Sequence, residues 1–208
     1  MSYFPNRLMA AGGDYAEAYF DELTTAYGTV DRDAVTAAGA LLAEAARARR
    51  TIFSCGNGGS AAIANHLVCD CLKGVRAGSS LAPRVHSLSS NVELITALAN
   101  DFGVETMFSF PLESVGQAGD VLISISSSGT SPNIVKAIET ARSLGMKTIA
   151  MSGFAGGASR ELADISLHVD AQNYGVVEDV HQSLMHILAQ YLRHTHLDDP
   201  SSLGSIKF

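Results

Sequence analysis

Hydrophobic and polar positions change their period at Thr51. Before it the spacing is helical throughout. From Asp14 to Tyr27 apolar side chains recur at Tyr15, Ala18, Tyr19, Leu23 and Ala26, the three-to-four spacing of a buried helix face, and Gly28 is expected to stop the helix. Asp31 can cap a second helix, Arg32 to Arg50, whose many Ala and Leu residues suit close helix–helix packing. This leading pair (residues 1–50) reads either as an oligomer interface or as cover for the core. Residues 1–13 carry no pattern and read as frayed.

From Thr51 onward short apolar runs alternate with helical stretches. The runs are Thr51–Cys55, Arg84–Leu88, Asp120–Ser126, Lys147–Ser152 and Ile165–Val169. The third, DVLISIS, is almost continuously apolar, as a parallel strand covered on both faces should be. The helical stretches begin after Ser60 and at Val92 (to Asn100, broken by Asp101-Phe102-Gly103), Ser131 (to Leu144, ended by Gly145), Ser159 (to Ala163) and Val176 (to His194). This rhythm predicts one α/β domain over residues 1–208: a doubly wound five-stranded parallel sheet in a three-layer α/β/α arrangement. The core spans 51–196, behind an N-terminal helical pair, and the tail 197–208 is expected to be loose.

Composition narrows the possible functions. With 208 residues, 47% of them hydrophobic and 17% charged, the chain is globular. Its 21 acidic against 14 basic residues leave a formal net charge of −7, which argues against nucleic-acid binding, since that needs a basic face. No run of about eighteen apolar residues is present, so no membrane span is expected. The N-terminus has only Arg7 and no apolar core, a poor signal peptide. Three cysteines give no disulfide framework and fit a reducing, cytoplasmic location. Cys69 and Cys71, two apart, do not share a helix face and read as ordinary thiols rather than zinc ligands.

Candidate chemistry gathers in two turns and two helices. After the first strand, Gly56-Asn57-Gly58-Gly59-Ser60 opens a helix. Glycines let the backbone approach a ligand, and free N–H groups with the helix dipole favour an anion there. One helix further on, His66 and Asp70 lie four apart on one face, as a metal half-site or an acid/base pair. After the third strand, Ser126-Ser127-Ser128-Gly129-Thr130-Ser131 offers hydroxyls before another helix. Alone it reads as an N-cap; paired with the first turn it reads as a phosphate site. The last helix carries Glu178, His181 and His186. Glu178 and His186 lie eight apart, roughly 12 Å along a helix axis, whereas ligands of one zinc sit about 2 Å from it. For both to serve one site, the helix must begin after Glu178 or one residue must come from a neighbouring subunit. A metal is an open question at this point.

Taken together, these segments resemble the sugar isomerase (SIS) domain family, and within it the phosphoheptose isomerases. The likeness rests on the first turn (Cys55–Ala62), Ala99–Gly103, the strand-turn-helix Gly119–Arg142, Gly145–Gly153 and the Glu-x-x-His-x-x-x-x-His run from Glu178 to His186. It covers nearly the whole chain. The resemblance implies a flavodoxin-like SIS fold and aldose–ketose isomerisation of a sugar phosphate through an enediol. The implied reaction takes sedoheptulose 7-phosphate to glycero-manno-heptose 7-phosphate. It also implies a homotetramer with active sites between subunits and one zinc ion per subunit. Phosphate and substrate contacts fall on Asn57, Gly58, Gly59, Ser60, Asn100, Asp101, Ser126, Ser127, Ser128 and Ser131. The metal ligands fall on His66, Asp70, Glu178 and His186, and the catalytic groups on Asp70, His186 and Glu178.

This chain departs from the pattern in places. Asp70 stands where the family has its basic glutamate and Glu178 where it has a glutamine. Gly175 replaces an acidic residue, and Gly74, with Lys73 beside it, replaces a basic one. Asp70 is one methylene shorter than Glu, so Asp70 and Glu178 are expected to divide the roles of base and ligand. The alternative is a non-catalytic SIS module that binds a sugar phosphate or a protein partner. Retention of two histidines and two carboxylates favours the enzyme.

Overall fold

A computed structural model describes residues 3–207. Met1 and Ser2, part of the segment expected to be frayed, and Phe208, part of the tail expected to be loose, lie outside the described residues. Two helices lead, α1 (Gly12–Thr29) and α2 (Arg32–Arg47). Then come β1 (Thr51–Gly56), α3 (Gly58–Cys69), which runs directly into a π-turn (Asp70–Val75), β2 (Arg84–Ser87), α4 (Val92–Asp101), α5 (Ser109–Val115) and β3 (Val121–Ser126). The chain continues through α6 (Pro132–Ser143), β4 (Lys147–Ser152), α7 (Gly157–Leu162), β5 (Ile165–His168) and α8 (Tyr174–Thr195). All strand pairs are parallel and the order is β2-β1-β3-β4-β5, the flavodoxin order, which places ligands outside the carboxyl ends of the strands. No described helix is long and apolar enough to cross a membrane.

Alternation along the strands divides the core in two. Ile52, Val121, Ile123, Ile125, Ile149, Met151 and Leu167 point to one face, where α1, α2, α3 and α8 cover them. Phe53, Cys55 and Leu122 point to the other, under Phe108, Leu112, Ile134 and Ile138. Burial pushes the Cys55 thiol up to about 12, and the Cys71 thiol equally, so neither is a reactive thiolate.

The expected elements are present, with four differences. α1 runs through Gly28, because Ala26 and Val30 on either side are buried and outweigh the roughly 1 kcal/mol that a helical glycine costs. α2 stops at Arg47, three residues early, and Arg49 takes a positive φ of 58°. α5 had no counterpart in the sequence pattern, since seven residues are too few to show a helical period. The ends of the chain are also held: Asn173 Nδ2 donates to the Phe4 carbonyl, and Phe4 packs on Tyr15 and Tyr19. The tail is tied down where Leu197 bridges Ser79 and Arg193 Nη1 donates to the Lys207 carbonyl.

One buried group conflicts with the apolar core. His181 on α8 is fully buried, and neither ring nitrogen makes a well-formed hydrogen bond among the described residues, although the Ser152 backbone lies close enough to favour protonation. Burial dominates and pushes the ring down to about 4 from its ordinary 6.5. The unfolded chain therefore takes up this proton before the folded one does. The stability contribution is present above pH 6.5 and is lost as pH falls toward 4. Urea unfolding at pH 7 and pH 5 should show a loss on the order of 2 kcal/mol from this residue. In His181→Leu that part of the pH dependence should vanish.

Candidate active site

Two turns leave the sheet side by side. β1 and β3 are neighbours, with Gly56 opposite Ile125, so the turns after them start at the same height. Gly56 has to be glycine because a β-carbon there would lie 2.5 Å from the Ser60 backbone; its absence lets α3 fold back against the end of β1. Ser60 is buried at the start of that helix. In the second turn Ser126 Oγ lies 3.3 Å from Ser131 Oγ and accepts from Gly129 N at 3.2 Å. Gly129 takes a positive φ of 66° and presses on Gly156 of the next loop. Ser128 Oγ accepts from Thr130 N and Oγ1. Ser127 is 5% exposed, and its hydroxyl has no hydrogen-bond partner among the described residues. A buried hydroxyl left unpaired costs about 1–3 kcal/mol. Such an atom, set in an anion-type turn, leaves a hydroxyl free to bond a ligand.

The third component is a pair of parallel helices. α3 and α8 lie alongside each other on one face of the sheet, with Gly59 against Glu178, His66 against Gln182 and Asp70 against His186. Each helix thus offers an i, i+4 pair to the other. Asp70 Oδ2 is 2.8 Å from His186 Nδ1 and Asp70 Oδ1 is 3.3 Å from His66 Nε2. On the outer side Gln182 Nε2 is 3.1 Å from His66 Nδ1 and 2.9 Å from His186 Nε2. The two rings meet edge to face, with centroids 4.9 Å apart. With one proton on each ring the four side chains close a cycle: the rings donate to Asp70, and the Gln182 amide donates to the rings. Ligand atoms of His66, Asp70 and His186 all lie within 4.8 Å of one another, so one ion could take all three. Two imidazoles and a carboxylate are a donor set that zinc accepts with a position left open.

A cavity of 270 Å³ adjoins this cluster, flanked by Cys69, Asp70, Lys73, His186 and Arg193. A larger one, 480 Å³, lies at the β5 edge. Two of its three acids have structural duties: Asp31 caps α2 and Asp164 accepts from Thr148. The smaller cavity is the one next to chemistry.

The predicted site residues fall into three groups. His66, Asp70 and His186 converge. Ser60, Ser126, Ser127, Ser128 and Ser131 sit in the two turns with Asn57, Gly58 and Gly59. Glu178 does not join the three converging residues in this chain. α8 begins at Tyr174, so Glu178 is inside the helix, two turns before His186. Its carboxylate lies at the start of α3, where a β-carbon on Gly59 would collide with it. Burial, and then the neighbouring Asp179, push the Glu178 carboxyl up. Asn100 and Asp101 end α4, exposed, with Asn100 Nδ2 donating to Asp101 Oδ1 at 2.7 Å; no hydrogen bond joins them to the turns or to the cluster among the described residues. Gln182 and Asn133 went unnoticed in the sequence. Gln182 falls four before His186, a signal that the i, i+4 rule could have supplied.

Three comparisons place this geometry. The SIS domain family matches residues 15–153, about two thirds of the chain. The chain belongs to the SIS domain family. A phosphoheptose isomerase of Proteus mirabilis is 37% identical over 187 residues, 86% of this chain and 96% of that protein. One from Nitratidesulfovibrio vulgaris is 38% identical over 149 residues, 72% of this chain and 71% of the relative. Among solved structures, the phosphoheptose isomerase of Neisseria gonorrhoeae superposes with a TM-score of 0.80 at 28% identity, covering 88% of this chain and 98% of that one. The two serine and glycine turns of this SIS domain fall within the matched residues. Gln182 and the rest of α8 lie beyond them. The local setting of Gly175 also has a cause: a β-carbon there would sit 2.9 Å from Tyr19 Oη, which donates to Asp179 Oδ2 at 2.7 Å. Burial and that carboxylate hold the Tyr19 phenol well above its ordinary value.

Ser127→Ala tests the second turn. Removing the unpaired hydroxyl should stabilise the ligand-free fold by about 1 kcal/mol, read as a rise in melting temperature. The same change should weaken inorganic phosphate binding by about tenfold, read by calorimetry.

Proposed function

We propose that this chain is an aldose–ketose isomerase that converts sedoheptulose 7-phosphate to glycero-manno-heptose 7-phosphate. One observation carries the reading: a single helix, α3, begins in the phosphate-type turn at Ser60 and ends at Asp70, whose carboxylate stands between two imidazoles. His66 is six residues beyond Ser60, roughly 9 Å along the axis. A sugar phosphate can therefore keep its phosphate in the turns while its carbonyl end reaches the cluster. The phosphoheptose isomerases among its relatives support the same reading.

The reaction moves a proton between C1 and C2 and its partner proton between the two oxygens. Asp70 is placed to take the carbon-bound proton and return it to the adjacent carbon, which leaves the sum of protons unchanged. His186 Nδ1, hydrogen-bonded to Asp70 at 2.8 Å, positions that carboxylate and can pass a proton between the oxygens. Hydroxyls of Ser60, Ser126, Ser127, Ser128 and Ser131 and the helix N-termini of α3 and α6 hold the phosphate without a cation. His66, Asp70 and His186 would hold a zinc ion, one per subunit. When bound, it supplies positive charge beside the oxygen that becomes anionic in the enediol. Gln182 fixes the outer nitrogens of both rings, the place from which a ligand histidine is oriented. Glu178, set against Gly59, faces the start of the first turn; it can complete a metal or base set only for a neighbouring subunit. A cytoplasmic homotetramer with sites between subunits, and with Asn100 and Asp101 reaching a partner's substrate, accommodates it.

Nuclear magnetic resonance of sedoheptulose 7-phosphate in deuterated water should show deuterium entering at the exchanging carbon. Asp70→Asn should slow this by about 10²- to 10⁴-fold; wild-type exchange in that variant would remove Asp70 from the role of base. Native mass spectrometry should find zinc near one per chain, and Gln182→Leu should lower zinc affinity by about 10- to 100-fold while the circular dichroism spectrum is unchanged.

A further inference from the structure

The two turns are joined by a pair of side-chain amides. Asn57 precedes α3, yet its side chain makes no cap hydrogen bond to that helix. It reaches across to Asn133, the second residue of α6 and 76 positions away in sequence. Asn57 Nδ2 donates to Asn133 Oδ1 at 3.0 Å, and Asn133 Nδ2 donates back to Asn57 Oδ1 at 2.8 Å. Asn133 Oδ1 also accepts from Ile134 N at 3.0 Å. That third bond fixes which end of the Asn133 amide is oxygen, and so fixes the orientation of both amides. Asn133 is 3% exposed, and Pro132 before it holds the start of α6. Beyond the β1–β3 ladder, no other hydrogen bond joins the first turn (57–60) to the second turn and the start of α6 (126–133) among the described residues.

We propose that Asn133 is a positioning residue that sets the spacing between the two phosphate-binding turns by clamping Asn57. The Asn57 side chain is committed to the clamp and acts on substrate through it. This rests on the reading of both turns as a phosphate site. A phosphate shared by Ser60 on one turn and Ser126–Ser131 on the other needs the turns at one separation, and turns free to drift apart hold it more weakly. Each amide satisfies the other, so loss of either leaves its partner unpaired and frees both turns.

The test is a double-mutant cycle of Asn57→Ala, Asn133→Ala and the pair. It is read by the inorganic phosphate dissociation constant, by KM and kcat on sedoheptulose 7-phosphate, and by melting temperature. The clamp requires each single variant to weaken phosphate by about tenfold (about 1.4 kcal/mol) and to raise KM alike, with kcat kept within about threefold. The double variant should then be no worse than the weaker single one. Additive losses would overturn the clamp, as would a lower melting temperature with phosphate affinity unchanged in the folded protein. If Asn133→Ala does not fold, Asn57→Ala at its exposed position carries the test. Its amide spectrum must shift at residues 126–133, and weaker phosphate binding without those shifts overturns the proposal. Wild-type protein that isomerises the sugar but gives no phosphate competition would instead defeat the phosphate-site reading, and the clamp with it.

Discussion

The parallel contact between α3 and α8 is the constraint from which the site follows. His66 and Asp70 are one turn apart on the first helix, Gln182 and His186 one turn apart on the second. Only two helices running in the same direction, at the same height, bring those pairs face to face. The sheet enforces this. α3 is drawn tight against the end of β1 by the close approach at Gly56. α8 is held through Val177, Val180, Leu184 and Leu188, all buried in the larger core half. A slip of one turn in either helix, about 5 Å, would leave Asp70 opposite Gln182 or Gln190 in place of His186.

Much of this was legible in the chain. The strands were readable because a strand covered on both faces must be apolar almost throughout, as Val121–Ile125 is but for Ser124. The turns were readable because glycine and serine clusters at strand ends have few other uses. What was hidden lies in pairings across long sequence distances. Gln182 reads as a surface residue until α8 is laid on α3, since its partner His66 is 116 residues away. Asn133 reads as an ordinary helix-start residue until the turn 76 residues earlier lies beside it. Glu178 is a different case. The resemblance implied a ligand there, and helical rise sets it two turns from His186 within one chain, beside the start of α3. α5 escaped because its seven residues bury only Ser109 and Leu112 within the helix, too few to make a stripe.

The departures from the family pattern make sense together when seen from α1. Gly175 leaves room for the Tyr19 hydroxyl, which holds Asp179; burial, and after it Asp179, raises the Glu178 carboxyl. The leading helix thus supplies the hydroxyl that pairs with Asp179, the neighbour of Glu178.

The π-turn at Asp70–Val75 has a bearing on how this chain is aligned with any relative. A π-turn is an α-helix that carries one surplus residue within its hydrogen-bond ladder. Past that point every side chain is rotated by about 100° from where an unbroken α-helix would have put it. Counting four residues from Asp70 arrives at Gly74, but the surplus residue breaks the rule that four residues return to the same face. Lys73 and Gly74 both border the cavity beside His186. Lys73 therefore brings a cation to that cavity from the position before Gly74.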